Sequence, residues 1–141
     1  MIDYFLTAVS GWLGTIGIAF GSLLLPYLLR RTALSRRLGI ELVSSRPYLG
    51  RMWPHYWVGY SIAGVSTLHA WLPMSSGHIR TSGASLWMAT IALGLVWLQL
   101  WIGLMLRQPL AASERKVLRL WHFWGMIAIA ALVALHVRMK R

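Results

Sequence analysis

Long apolar stretches alternate along the chain with short segments that carry most of its charge. The apolar stretches fall at about residues 5–29, 47–74, 83–107 and 113–139. Each is near or above the roughly 20 residues that a helix needs to cross a bilayer core. They are interrupted mainly by small or weakly polar residues and, in the first, by Pro26. No stretch alternates apolar and polar positions with period two, so the pattern predicts helices and no barrel. The expected fold is all-α: one transmembrane four-helix bundle over 1–141 with up-down-up-down topology. Ser113 reads as the N-cap of the fourth helix, with Glu114 in its first turn. The opening Met1-Ile2-Asp3-Tyr4 has no positive n-region. The apolar run after it exceeds an h-region, so the first span is expected to persist uncleaved.

Composition narrows the function classes. The chain is 57% hydrophobic and 12% charged, against about 25% charged in a typical soluble domain. A disordered chain is excluded. The absence of Cys excludes a disulfide framework, a thiolate-ligated haem and an iron–sulfur cluster. The net charge of +11 would suit nucleic acid in a soluble protein, but so much apolar sequence argues for membrane lipid and against nucleic acid. The positive charges cluster. Arg30, Arg31, Arg36, Arg37, Arg46 and Arg51 follow the first stretch, and Arg107, Arg115, Lys116 and Arg119 surround the third connection. The second connection holds Arg80 alone. The positive-inside rule then puts the first and third connections in the cytoplasm and both termini outside. Arg138, Lys140 and Arg141 run against this. Trp53, Trp57, Trp121 and Trp124 lie toward one interface and Trp12, Trp71 and Trp87 toward the other, as in aromatic belts.

Four histidines carry the candidate chemistry. His55 and His69 lie 14 positions apart in the second span, as do His122 and His136 in the fourth. Fourteen helical residues turn about 1400°, roughly 40° short of four full turns, and rise about 21 Å. Both histidines of a pair therefore leave nearly the same helix face. Spans two and four run parallel, so His55 is expected to face His122, and His69 to face His136. Each facing pair supplies two axial imidazoles. That suits a haem iron, whose porphyrin fills four equatorial positions, and predicts two b haems between helices 2 and 4. A zinc or copper ion wants three or four converging protein ligands, which these separated pairs do not offer. A chlorophyll-type pigment needs one His per magnesium and gives no reason for pairing. A transporter usually places an acid deep in a span, and none is seen here.

Around the histidines, Gly59 and Gly125 leave room for a porphyrin. Arg51, Arg119 and Arg80 are candidate partners for its propionates, and His78 is a candidate quinone or proton residue. The pattern Arg51-Met52-Trp53-Pro54-His55 with Leu68-His69, and Arg119-Leu120-Trp121-His122 with Leu135-His136, resembles the di-haem cytochrome b family. There a four-helix bundle forms the haem-binding N-terminal part of the quinol-oxidising bc and bf complexes. The ferric-reductase-like membrane domain uses a similar paired spacing. The resemblance implies an electron-transfer subunit that relays electrons across the membrane, working with other subunits of a redox complex and with quinone. The other reading is a structural or pigment-binding subunit of a photosynthetic or respiratory complex.

Overall fold

A computed structural model describes residues 2–21, 52–77 and 82–139. Among these residues there are four helices and no strand. They are α1 (Ile2–Ala19), α2 (Trp53–Ser75), α3 (Gly83–Met105) and α4 (Ala112–Met139). Each terminus has a local cause. Pro54 stands in the first turn of α2, where its missing N–H would have had no helical partner. Beyond the end of α2, Gly77 adopts φ +67°, the left-handed conformation that glycine enters without steric cost. Ser82 caps α3 by accepting the Ser85 N–H at 3.3 Å. The fourth helix starts one residue earlier than expected. The Glu114 carboxylate accepts the Ala111 N–H at 3.3 Å, the reciprocal half of a capping box. Ala111 is therefore the cap, and Ser113 lies inside the first turn.

Successive helices run antiparallel, as their contacts reveal. Going up α1, Gly11, Gly14, Gly17 and Gly21 meet His69, Ser66, Ile62 and Val58, going down α2. The Trp97 indole N–H donates to Thr67 Oγ1 at 3.2 Å, joining α3 to α2. Arg107, just past α3, sits 5.1 Å over the Tyr56 ring at the start of α2. Gly103 meets His122, and Ser85 meets His136, at opposite ends of the α3–α4 seam. The two tight seams are thus α1–α2 and α3–α4, with α2 and α4 parallel.

The core is one layer. Ile18, Ala63, Val96 and Ile129 form a buried cluster with one residue from each helix. Ile129 is fully buried and lies midway in sequence between His122 and His136. Outside this layer the distribution is inverted. All nine Trp are at least half exposed, and exposed apolar side chains outnumber buried ones. Two helices, α3 and α4, are long and apolar enough to cross a membrane. In α1 the apolar run is shorter, Phe5–Ala19. In α2, His55, His69, Tyr56, Tyr60, Ser61, Ser66 and Thr67 dilute the apolar character. The expected extensions of the first span to residue 29 and of the second back to residue 47 lie outside the described residues.

Candidate functional site

Two helix positions that sequence spacing pairs across the bundle come together. His55 lies in the first turn of α2 and His122 within α4. Their ring centres are 6.0 Å apart with planes at 82°. They border a cavity of about 860 Å³ to which all four helical segments contribute. That is within the roughly 300–1,000 Å³ of ordinary cofactor sites. Gly59, one turn after His55, opens onto it: a Cβ there would meet nothing within 4 Å. Gly125 differs. The space beside it is filled by the Gln99 amide, into which a Cβ would run. The expectation of open room holds at Gly59 and not at Gly125.

Charge in this cavity has one sign. Among the described residues, Arg107, Arg115 and Arg119 line it, and no Asp or Glu does. Of the candidate propionate partners, Arg119 is therefore at the cavity, while Arg51, Arg80 and the candidate quinone residue His78 lie outside the described residues. Arg107, in the connection between α3 and α4, and Arg115, in the first turn of α4, join Arg119. Sequence alone reads them as topology charges, because only the folded turn brings them over the histidines. Arg115 donates from one terminal nitrogen to the Leu110 carbonyl at 3.4 Å, and its Nε is buried without a partner. Three more buried polar atoms among the cavity's lining residues have no partner: His55 Nδ1, His122 Nδ1 and Gln99 Oε1.

At the other end, each histidine is held by the helix that precedes its own. His69 Nδ1 lies 2.9 Å from the Thr7 carbonyl of α1 and 3.3 Å from Ser10 Oγ. His136 Nδ1 lies 3.1 Å from the Ser85 carbonyl of α3 and 2.9 Å from Ser85 Oγ. A carbonyl only accepts, so Nδ1 carries the proton and donates in both residues. Nε2 is then the lone-pair nitrogen, the tautomer that a metal ligand needs. Ser10 and Ser85 are both buried. Sequence reasoning passed over these two serines, Thr7 and Gln99. The available signal was a hydroxyl or amide in an otherwise apolar helix, and it gains meaning only once the helix register is known.

Among the described residues, no group of three or more His, Asp or Glu converges. A bare-ion centre with three or four protein ligands is thus not formed there. In comparisons with known proteins, no family model, curated protein or solved structure matches the chain.

Proposed function

We propose that the chain is a membrane electron-transfer subunit of the di-haem cytochrome b type. In this reading His55 and His122 hold one b haem, and His69 and His136 hold a second. The observation that carries it is the facing of His55 and His122 across a cavity that, among the described residues, is lined by three arginines and no carboxylate.

Ring separation supports a single shared metal. A metal–imidazole bond is about 2.0–2.1 Å, and a ring centre lies about 1.1–1.2 Å behind its nitrogen for ring bonds near 1.35 Å. Two such arms end to end span about 6.2–6.6 Å, and the observed 6.0 Å lies a few tenths below that. Two protein ligands suffice only if the other equatorial positions are filled by the cofactor itself, which a porphyrin does. The guanidiniums of Arg107, Arg115 and Arg119 match its propionate carboxylates by charge and fork geometry. Arg51 and Arg80 remain candidates for the same role near His55 and in the second connection. Gly59 leaves space for the macrocycle.

When bound, each haem supplies one-electron redox chemistry. The chain's own residues do the rest. The histidines grip from two helices, the arginines neutralise carboxylates, and the layer of Ile18, Ala63, Val96 and Ile129 keeps water out between the two levels. The exposed Trp and aliphatic side chains face lipid in a multi-pass arrangement, with the His55–His122 end on the cytoplasmic, arginine-rich side. Electron donor and acceptor sites belong to partner subunits or to a quinone near His78.

A reduced-minus-oxidised spectrum of the purified protein tests this. A b-type α band at two haems per chain is expected. His55→Ala and His122→Ala each remove one and the same centre, and His69→Ala and His136→Ala the other. Iron-free protein carrying magnesium tetrapyrrole would replace this reading with the pigment-binding one. Loss of one common centre in His55→Ala and His136→Ala would overturn the parallel pairing.

A further inference from the structure

His69 and His136 each meet a buried serine of the preceding helix, but the two serines are wired differently. Ser85 is fully buried in the first turn of α3. Its N–H donates to the Ser82 cap at 3.3 Å, which fixes the backbone of that turn. Its two oxygens converge on one atom: the carbonyl lies 3.1 Å and Oγ 2.9 Å from His136 Nδ1. The carbonyl can only accept, so Nδ1 carries the proton. A protonated Nδ1 in turn leaves Oγ the acceptor's part. The hydroxyl oxygen is thus the nearer of two acceptors that Ser85 offers to a single N–H.

Ser10 sends its hydroxyl elsewhere. Its O–H donates back along α1 to the Thr7 carbonyl at 3.1 Å. His69 Nδ1 donates to that same carbonyl at 2.9 Å and stands 3.3 Å from Ser10 Oγ. N–H···O bonds cluster near 2.9–3.0 Å, so of these two atoms the Thr7 carbonyl is the stronger acceptor. Ser10 therefore shares an acceptor with His69, whereas Ser85 adds one to His136. A metal-bound histidine almost always donates its second ring N–H to an acceptor, which fixes the ring and raises the basicity of the ligating nitrogen. On His136 a side chain does part of that work, and on His69 the backbone does most of it.

Resting on the di-haem reading, we propose that Ser85 is the positioning residue of the His69–His136 centre and that Ser10 is not. Ser85 acts through His136: its Oγ and carbonyl hold Nδ1–H and so present Nε2 as the ligand atom. A hydroxyl that accepts from Nδ1–H makes the imidazole a stronger donor, which stabilises the oxidised iron. Ser85 thereby lowers the midpoint potential of that centre, and the Ser10 hydroxyl leaves it unmoved.

The test is redox titration of the detergent-solubilised holoprotein, with the His55–His122 centre as internal reference. It is paired with ¹⁵N-histidine NMR of the diamagnetic reduced form. Ser85→Ala raises the potential of the His69–His136 centre and moves the His136 Nδ1–H resonance upfield. Ser10→Ala leaves the 2.9 Å bond from His69 to Thr7 in place, so neither the potential of that centre nor the His69 resonance makes such a move. Ser85→Thr restores the hydroxyl and returns both readouts toward wild type. Loss of that haem in Ser85→Ala alone, recovered in Ser85→Thr, supports the same assignment. A Ser85→Ala protein with unchanged potential and unchanged His136 resonance would overturn the proposal, because a merely structural serine moves neither. Equal rises in Ser85→Ala and Ser10→Ala would overturn it too. A wild-type protein without b haem would instead sink the reading beneath it.

Discussion

At position 59 the absence of a side chain leaves open space beside His55. At position 11 it leaves only just enough. A Cβ there would stand 2.8 Å from His69 Cε1, and that ring is tied to the Thr7 carbonyl. The two glycines therefore give opposite forecasts. On the di-haem proposal, Gly59→Leu is expected to fill the cavity and abolish the His55–His122 haem while sparing the other. On the same proposal, Gly11→Ala is expected to push the His69 ring off its anchor and weaken the His69–His136 haem by about 10–100-fold, the usual cost of disturbing a ligand's outer-shell partner. Haem titration of each variant, read at the two centres separately, checks both. The facing of His55 and His122 was legible in the sequence because a 14-residue interval fixes two side chains on one helix face whatever surrounds them. The anchors Thr7, Ser10 and Ser85 were not, because each acts on a histidine of another helix and depends on the seam between them. Gly125 misled for the same reason: its space belongs to Gln99.

Among the helices, α3 and α4 match their expected limits to within one or two residues. Long apolar runs bounded by Ser82 and by the Ala111–Glu114 box leave little choice of register. Capping by Ser82 also stabilises the turn that presents Ser85 to His136. Ser82→Ala is expected to cost about 1 kcal/mol, seen as a lower denaturant midpoint, while the His55–His122 haem is unaffected. The layer made by one residue from each helix has more at stake. Ile129 is fully buried between the two histidine levels. Ile129→Ala removes about 2–5 kcal/mol of stability and makes the layer more permeable to water. Thermal unfolding and the accessibility of both centres to an aqueous reductant report the two effects. This layer was hidden in the sequence. Ala63 and Val96 resemble a dozen other apolar positions, and only the four-way junction singles them out.

At the scale of the molecule, the described residues are apolar on the outside and enclose a cavity at one end. A side-chain distribution with all nine Trp exposed suits lipid. The orientation is open to a direct check, since the chain has no Cys and single substitutions report unambiguously. Ser113→Cys is expected to react with an impermeant maleimide from the cytoplasmic side and Ser76→Cys from the opposite side. Labelling of both from one side would refute the topology. A cavity lined, among the described residues, by three guanidiniums and no carboxylate is stabilised by a dianionic occupant. At a haem concentration 100 times its dissociation constant the folded state gains about 2.7 kcal/mol, so the haem-free protein should unfold at lower temperature. The most direct test of the account is the haem count of the purified wild type beside that of His122→Ala. Two b haems falling to one, with the surviving centre keeping its potential, is the result the paired-histidine geometry requires. The same iron content in both proteins, or none in either, would contradict it.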